Sequence, residues 1–345
     1  MGIVSSKPTI TRKELEGVLN CLIKDELLYG VTVKNFETRL SDFLGSKYCL
    51  AVNSQTAAYH LAFKALEIGP GDEVIIPSYF NYAPLSALSF TGGTPVLVDI
   101  DSGSLTPAAG QIQEKITEKT KAVIVGHMFG FITEIPDLGE QKVSVIEDIS
   151  YSIGADIHND TEKKAAITIA SFSPTMMITT GNGAVVMTPN SRHFALMRDL
   201  RGNNEKEATL KYDYTMTDFQ AAMGVSQLMK LPNFIKRRRE IARIYHEALK
   251  LTSHKSLYAF NDAFLYQSFP VIFDATTERI EKYWKKTGIE LYRPIPYPLH
   301  HYCDEKPMEY PNSDRLTKKM YSLPIYPALS KKEIEKISRS LANFI

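Results

Sequence analysis

Cysteine is scarce in this chain, with only Cys21, Cys49 and Cys303 among its 345 residues. Three thiols so far apart in sequence are too few for a disulfide framework or a cysteine-based zinc site. Free cysteines are typical of a reducing compartment, so we expect the protein in the cytoplasm.

Long apolar runs are missing as well. No stretch approaches the ~18 apolar residues that a membrane-spanning helix needs, and the N-terminal segment lacks the apolar core of a signal peptide. Neither sign of charge is in excess, because 40 Lys and Arg stand against 39 Asp and Glu. We therefore expect neither a membrane nor a nucleic acid as partner.

What the chain does contain is a regular alternation of short apolar runs with helical patterns or turns. The seven runs cover residues 47–53, 73–78, 94–100, 121–127, 143–148, 166–173 and 183–188. Near-continuous apolar strands between helices indicate a sheet covered on both faces, and hence an α/β fold with a mainly parallel sheet. Ligands bind such sheets at the carboxyl ends of the strands, so we expect functional side chains just after each run.

Polar residues follow three of these runs. Ser54 and Thr56 begin a helical pattern whose free N–H groups and hydroxyls suit a phosphate, and they equally suit a purely structural helix cap. Asp148 is the last residue of the fifth run, where it either holds a protonated ring nitrogen or caps the next segment. Ser171 opens the hydroxyl-rich stretch "SFSPT" at the end of the sixth run. A phosphate cradle, an acid and a group of hydroxyls together form the layout of a pyridoxal phosphate (PLP) site.

Seven segments carry a family resemblance, in the order "YGVTVKNFETRLSDFLG", "GPGDEVIIPS", "GGTPVLVDID", "VIEDISYSIGA", "SFSPTMMITTGNGA", "YTMTDFQAAMGVSQLMKL" and "YSLPIYPALS". In order and spacing they resemble the DegT/DnrJ/EryC1/StrS family of nucleotide-sugar aminotransferases. The resemblance implies the type I PLP-dependent aminotransferase fold, similar to aspartate aminotransferase. It implies a large domain with a mainly parallel sheet at residues 1–230, a smaller C-terminal α/β domain at 231–345, and a homodimer with active sites at the subunit boundary.

The resemblance also assigns roles to residues of the cofactor site. Asp148 matches the aspartate that pairs with the pyridine nitrogen and keeps it protonated. Ser171 and Thr56 match phosphate contacts. Gly181 and Gly183 match the turn after the cofactor loop, where small residues allow backbone geometry that other residues resist.

A second group of residues concerns the substrate. The segment "YRPIPYPLHHY" at 292–302 resembles the family segment that brings aromatic and histidine side chains towards the nucleotide-sugar. Its candidates for stacking and hydrogen bonding are Tyr292, His300, His301 and Tyr302. The alternative is that they are structural histidines and core tyrosines.

The most informative departure from the family is Met176, in the middle of "SFSPTMMITTGNGA". In the family this place holds the lysine that forms an imine with the cofactor and then moves the proton. A thioether has no N–H, forms no imine and is not a useful base at neutral pH. Lysine-dependent transamination is therefore excluded at this position. Lys163 and Lys164 precede the sixth strand at its opposite end, so we expect them in a solvated loop rather than in the pocket.

Further departures surround the same pocket. Gln55 stands where the family commonly has glycine, and so puts a side chain where backbone approaches the phosphate. Asn81 aligns with the aromatic residue that stacks on the pyridine ring, with neighbouring Phe80 or Tyr82 as alternatives for that role. Tyr151 replaces a glutamine.

Two more exchanges affect the segment that reaches the neighbouring subunit's phosphate in the family. Its Asn-x-Arg pattern reads Asp213 followed by Thr215 in this chain. An added carboxylate and a lost arginine both oppose the binding of a dianionic phosphate. Several changes around one pocket indicate a site released from its cofactor.

Three hypotheses follow from these residues. The chain is a degenerate aminotransferase homologue acting as a binding or regulatory subunit in surface-polysaccharide or deoxysugar synthesis. Alternatively, it is a working nucleotide-sugar aminotransferase or dehydratase that holds PLP or pyridoxamine phosphate (PMP) non-covalently, or an aminotransferase with an engineered lysine-to-methionine exchange. We favour the first, because the exchanges beyond Met176 serve no purpose in an engineered trap.

The first hypothesis also defines the expected ligands and assembly. We expect a nucleotide-sugar as ligand, and PLP or PMP held without a covalent bond if it is bound at all. We expect a homodimer, or a heterodimer with an active relative, because the apolar dimer surface is not free to change when a cofactor is lost.

Overall fold

A computed structural model of the chain describes residues 2–101, 103–136, 138, 142–155, 165–202, 211–303 and 306–344. Within these ranges, no helix combines the length and apolarity that crossing a membrane requires. Lys163 and Lys164 lie outside the described residues.

Among the described residues, seven strands form the larger sheet, and each overlaps one of the apolar runs. They are β1 (Tyr48–Val52), β2 (Glu73–Pro77), β3 (Thr94–Val98), β4 (Thr120–Gly126), β5 (Ser144–Asp148), β6 (Ile167–Ser171) and β7 (Ala184–Thr188). Their order across the sheet is β1-β7-β6-β5-β4-β2-β3. The five adjacent strands β6, β5, β4, β2 and β3 are all parallel to one another. Strand β7 is antiparallel to both of its neighbours, β1 and β6. The predicted mainly parallel sheet is confirmed, and the reversal of β7 is a feature that the apolar pattern did not indicate.

Helices and buried apolar residues cover both faces of this sheet. The helices before the long α7 are α1 (Arg12–Ile23), α2 (Val31–Leu44), α3 (Gln55–Ala65), α4 (Ala83–Ser89), α5 (Ala109–Lys115) and α6 (Ser191–Arg201). Alternate residues of a strand face opposite sides of a sheet. Accordingly, Leu50 and Val186 belong to one hydrophobic cluster, and Ala51 and Val185 belong to another.

The chain continues through α7 into a smaller sheet. This part contains α7 (Asp218–Leu249), β8 (Lys255–Ser256), β9 (Phe269–Ile272), α8 (Thr277–Thr287), α9 (Pro311–Lys319), β10 (Met320–Leu323) and α10 (Lys331–Ala342). The three strands pair antiparallel in the order β10-β9-β8. The expected domain boundary at 230/231 falls inside α7, next to Pro232. The division into two domains therefore stays a prediction.

The strand register brings several chain segments to one edge of the larger sheet. Val52 at the end of β1 pairs with Ala184 at the start of β7, and Ala184 also pairs with Ser171 at the end of β6. Asp148, the last residue of β5, pairs with Ile169 of β6. Because β7 is antiparallel to both neighbours, β1 and β6 point the same way. The carboxyl ends of β1, β5 and β6 therefore meet at the edge where such sheets bind ligands.

Candidate functional site

Asp148 is the centre of a hydrogen-bond network at this edge. Only 2% of its surface is exposed. Its Oδ2 accepts hydrogen bonds from Gln55 Nε2 at 2.8 Å and from the Tyr59 hydroxyl at 2.6 Å. Its Oδ1 accepts the Ser150 amide at 2.8 Å. Burial raises the pKa of Asp148 above its usual value, and the hydrogen bonds that the carboxylate accepts offset part of that rise.

Helix α3 supplies two of these donors. Ser54 is the N-cap of the helix, and its Oγ accepts the Ala57 amide at 3.1 Å. The cap starts the helix at Gln55, so Gln55 and Tyr59 stand at i and i+4 on the same helical face. Half-buried Thr56 lies between them in sequence. The helix predicted after the first apolar run is confirmed, and one side of its first turn is directed at Asp148.

Ser150 extends the network to the neighbouring strand. Its Oγ accepts the buried Ser171 amide at 2.9 Å and Gln55 Nε2 at 3.2 Å. The structure thus brings together Gln55, Asp148 and Ser171, which the sequence had identified separately.

Two members of the network, Tyr59 and Ser150, were missed by sequence reasoning. The i+4 spacing from Gln55 is the signal that could have identified Tyr59. Ser150 stands two residues after Asp148, where a backbone amide commonly bonds an aspartate side chain.

The Gln55 and Tyr59 donors occupy one of the two carboxylate oxygens of Asp148. A carboxylate oxygen has two lone pairs, and both lone pairs of Oδ2 are engaged by Gln55 and Tyr59. A protonated pyridine nitrogen bound to this oxygen would have to displace one of the two donors. As the side chains stand, a ring nitrogen reaches Oδ2 only if Gln55 or Tyr59 moves, whereas Oδ1, which accepts the Ser150 amide, has a second lone pair.

The loop after β6 carries Met176. This residue is half-buried, and its amide donates to the Ser173 carbonyl at 3.0 Å. The Thr175 carbonyl accepts Gln267 Nε2 at 2.7 Å, which ties the loop to the segment before β9. The side chain that this loop offers at position 176 is a thioether, which neither forms an imine nor moves a proton.

The same loop ends in a turn that needs glycine. Gly181 and Gly183 have φ of +81° and +139°, values that other residues rarely adopt. A Cβ on Gly183 would lie 2.5 Å from the Met216 side chain and 2.8 Å from Thr180 Oγ1. The expectation that these two glycines permit unusual backbone geometry is confirmed.

The loop after β2 places three candidate residues in different surroundings. Asn81 Oδ1 accepts the amide of Ala83, the first residue of α4, at 3.0 Å. Phe80 is buried against the backbone of Gly126, where an added Cβ would lie 2.2 Å from the Phe80 ring. Gly126 pairs with Asp148 in the strand register. Tyr82 is 62% exposed, so of the two alternatives to Asn81, Phe80 is the one that packs on the strand next to that of Asp148.

Tyr151 and Tyr292 are neighbours in the structure. Burial raises the pKa of Tyr151, and the proximity of Tyr292 and Asp148 raises it further. The Tyr292 hydroxyl is 2.5 Å from Ser268 Oγ, which donates to Gln267 Oε1 at 2.6 Å. Gln267 in turn holds the loop after β6. These contacts link Tyr292, a candidate substrate residue, to the loop of Met176. No sequence signal pointed to Ser268 or Gln267, which connect the two.

The segment expected to reach a partner's phosphate runs beside the end of β1. Asp213 is exposed, and its carbonyl accepts Asn53 Nδ2 at 2.9 Å. The Tyr214 carbonyl accepts the Asn53 amide at 2.9 Å, and Thr215 forms an isolated bridge with Val52. The carboxylate of Asp213 thus lies at the surface beside the segment that leads into α3.

The histidine pair lies on a short 3-10 turn. His300 is fully buried, its ring stacks on Tyr310 at 4.6 Å, and its Nδ1 is 2.6 Å from Ser78 Oγ. His301 and Tyr302 are exposed. The structure therefore places His300 against the carboxyl end of β2 and leaves the other two side chains at the surface.

Comparison with known proteins gives one family and a consistent fold. The model of the DegT/DnrJ/EryC1/StrS aminotransferase family matches residues 8–342. GDP-perosamine synthase from Escherichia coli O157:H7 is 30% identical, over 98% of this chain and 97% of that protein.

Solved structures agree with this result. The aminotransferase TlmJ from Streptoalloteichus hindustanus is 25% identical with a TM-score of 0.89, over 99% of this chain and 98% of that chain. Helicobacter pylori PseC, an aminotransferase involved in the biosynthesis of pseudoaminic acid, is 22% identical with a TM-score of 0.85, over 100% and 99%. At that identity PseC shows the fold alone. The predicted type I aminotransferase fold is confirmed.

Proposed function

Because the chain belongs to the DegT/DnrJ/EryC1/StrS aminotransferase family, we propose that it keeps a nucleotide-sugar-binding frame but lacks lysine-dependent transaminase activity. In this proposal it is a binding or regulatory subunit of surface-polysaccharide or deoxysugar synthesis in the cytoplasm. PLP or PMP, where bound, is held without a covalent bond.

The observation that carries the proposal is the contact of Gln55 with Asp148. An aspartate that serves PLP must be free to hold the protonated ring nitrogen, so that the ring can act as an electron sink. Here Gln55 Nε2 and the Tyr59 hydroxyl engage Oδ2 at 2.8 Å and 2.6 Å. A buried carboxylate without partners is costly. Because Gln55 and Tyr59 supply hydrogen bonds to the buried Asp148 carboxylate, the pocket is stable without a cofactor ring.

Met176 supports the same proposal, because it removes the amine on which transamination depends. Transamination needs an amine to form the imine and to move the proton, and the thioether supplies neither function. Exposed Asp213 adds negative charge at the position that faces the phosphate in the family. Each change lowers the affinity for, or the use of, a phosphorylated cofactor.

A nucleotide-sugar is the ligand class that the relatives suggest. GDP-perosamine synthase is named for a GDP-linked sugar, so GDP-hexoses are the first probes for this chain. Exposed Tyr302 and Tyr297 offer aromatic surface on which a nucleobase could stack. Tyr292 is connected through its hydroxyl to the loop of Met176 and is the candidate contact for the sugar.

The proposal is tested by separating cofactor chemistry from ligand binding. Purified protein is mixed with PLP, reduced with borohydride and analysed by mass spectrometry, while GDP-mannose and UDP-glucose are titrated calorimetrically. We expect no trapped adduct and saturable binding of one nucleotide-sugar. A stoichiometric adduct at a lysine, or glutamate-dependent amino transfer to a keto-sugar nucleotide, would contradict the loss of transamination. Absence of binding to any GDP-, UDP- or dTDP-hexose would contradict the ligand class.

Assembly is the second part of the proposal. Leu15, Leu19, Leu22 and Ile23 recur at helical spacing on α1 and are between 49% and 70% exposed. An apolar stripe of this kind on a soluble helix marks a surface that another chain covers. The stripe supports a homodimer, or a heterodimer with an active relative.

A further inference from the structure

Three side chains with metal-binding atoms meet beside the carboxyl end of β2. Asp314 Oδ1 is 3.2 Å from His300 Nε2 and 3.1 Å from His301 Nε2. One ligand atom from each of the three residues lies within 4.8 Å of the other two. The cluster joins the 3-10 turn of the histidines to α9, which carries Asp314.

The separations match the edges of a zinc coordination polyhedron. Zinc binds imidazole nitrogen and carboxylate oxygen at ~2.0–2.2 Å, and a tetrahedron with such bonds has edges of ~3.3 Å. The distances from Asp314 Oδ1 to the two imidazole nitrogens are 3.1 Å and 3.2 Å. A cation placed between the three atoms therefore needs only small movements of the side chains.

The surroundings of His300 fix the orientation of its ring. Its Nδ1 is 2.6 Å from Ser78 Oγ, and its ring stacks on Tyr310 with 8° between the planes. With Nδ1 donating to Ser78, the lone pair of Nε2 is directed to the cluster. Metal-binding histidines are commonly held in this way through their second nitrogen. His301, which is 41% exposed, opens the cluster to solvent.

We propose that His300, His301 and Asp314 bind a divalent first-row cation such as Zn²⁺, with a solvent molecule in the fourth position. Two imidazoles and one carboxylate are a donor set that zinc takes at sites with an open position. The site is distinct from the Asp148 network and does not depend on the proposed function. Its metal links the histidine turn to α9 at the ligand-binding edge of the sheet.

One neighbouring charge opposes a cation at this place. Lys318 Nζ is 3.7 Å from Asp314 Oδ2, the oxygen that does not face the histidines. The Lys318 side chain is 73% exposed, so it can turn into solvent when the carboxylate coordinates a metal. The Lys318–Asp314 ion pair therefore lowers the affinity for a cation but does not block the site.

Calorimetric titration of Zn²⁺ into the full chain, prepared without a histidine tag and stripped with a chelator, tests the proposal. We expect one equivalent of Zn²⁺ to bind saturably, and Co²⁺ to give the visible absorption of a tetrahedral complex. His301→Ala, which removes an exposed ligand, should weaken Zn²⁺ binding at least tenfold, as should Asp314→Asn. His193→Ala is the matched control, because it removes a half-buried imidazole from α6, outside the cluster, and should leave binding unchanged.

Two results would overturn the proposal. One is the absence of saturable Zn²⁺ binding, and the other is an equal affinity in the wild type and His301→Ala. Circular dichroism establishes that each variant is folded. If His301→Ala does not fold, the Zn²⁺ affinity of Asp314→Asn tests the proposal instead.

Discussion

Gln55 and Asp148 are 93 residues apart in sequence and are joined by a hydrogen bond of 2.8 Å between Nε2 and Oδ2. The register of β1, β7, β6 and β5 produces this contact, because it places the start of α3 over the end of β5. A neutral amide thus occupies a lone pair of Oδ2 and closes it to a cationic ring. We therefore propose that the side chain at position 55 limits access to Oδ2.

Gln55→Gly is the first test of this relationship. Removing the amide frees a lone pair of Asp148 and opens space at the start of α3, so we expect non-covalent PMP affinity to rise about tenfold or more, equal to ~1.4 kcal/mol. Calorimetric titration with PMP measures the change. Gln55→Leu is the matched control, since it also removes the donor but keeps the bulk, and should therefore gain less than Gln55→Gly. If Gln55→Gly binds PMP no better than the wild type, the amide is not the barrier.

Met176→Lys alone should not restore transamination. The amine would be present, but the ring anchor stays occupied by Gln55, and misplacement of reacting groups by ~1 Å can cost about a hundredfold in rate. The double variant Met176→Lys/Gln55→Gly should instead form a borohydride-trapped PLP adduct at position 176. Thr175→Lys/Gln55→Gly, with the amine on the exposed neighbouring residue, controls for adventitious imines. Robust glutamate-dependent turnover by the single variant would show that the rest of the pocket is intact.

Much of the fold could be predicted because its cause is local. A strand covered on both faces must be apolar along its length, so each of the seven runs marked a strand. The direction of β7 could not be predicted in this way, because periodicity is the same in parallel and antiparallel strands. Residues 172–183, which join β6 to β7, contain no helix that could carry a parallel crossover, and they turn through Gly181 and Gly183 into β7.

The site could be predicted residue by residue but not as a network. Asp148 and Ser171 were expected at strand ends, and Gln55 was expected to oppose a phosphate. That Gln55 instead reaches Asp148 depends on the side-chain direction at the first residue of α3, which no sequence pattern states. Ser268 and Gln267 have no motif, because their role comes only from the approach of Tyr292 to the loop after β6.

Acid stability provides a prediction from a buried ion pair. Glu14 on α1 is almost fully buried, and Lys230 Nζ on α7 lies 2.5 Å and 2.6 Å from its two oxygens. Burial alone would raise the Glu14 pKa, but the hydrogen bonds from Lys230 and other donors outweigh it and lower the pKa to about 2. A lowered pKa in the folded state stabilises the protein above the usual value of 4.5, and this stabilisation is lost as pH falls towards 2.

Urea unfolding of the wild type and Glu14→Gln checks this sign. We expect the variant to be less stable by on the order of 2–3 kcal/mol near neutral pH, with the difference shrinking towards about pH 3. Glu16→Gln, which removes an exposed pair with Arg12 on the same helix, should change stability by less than ~1 kcal/mol at either pH. A difference between wild type and Glu14→Gln that does not depend on pH would contradict the assignment.

The apolar stripe on α1 leads to the prediction on assembly. Leu19 and Ile23 are 53% and 70% exposed in the single chain and stand one turn apart. A dimer that covers them buries well over ~2,000 Å² in total if it resembles obligate interfaces. Light scattering at micromolar concentration should therefore give twice the chain mass of 38.8 kDa.

Leu19→Glu/Ile23→Glu should shift the protein to monomer or to aggregates, because two carboxylates cannot be desolvated in an apolar interface without large cost. Leu251→Glu changes a residue of similar exposure beyond the end of α7 and should leave the dimer intact. A stable, soluble wild-type monomer with no partner present would mean that neither a second copy of the chain nor an obligate relative covers α1.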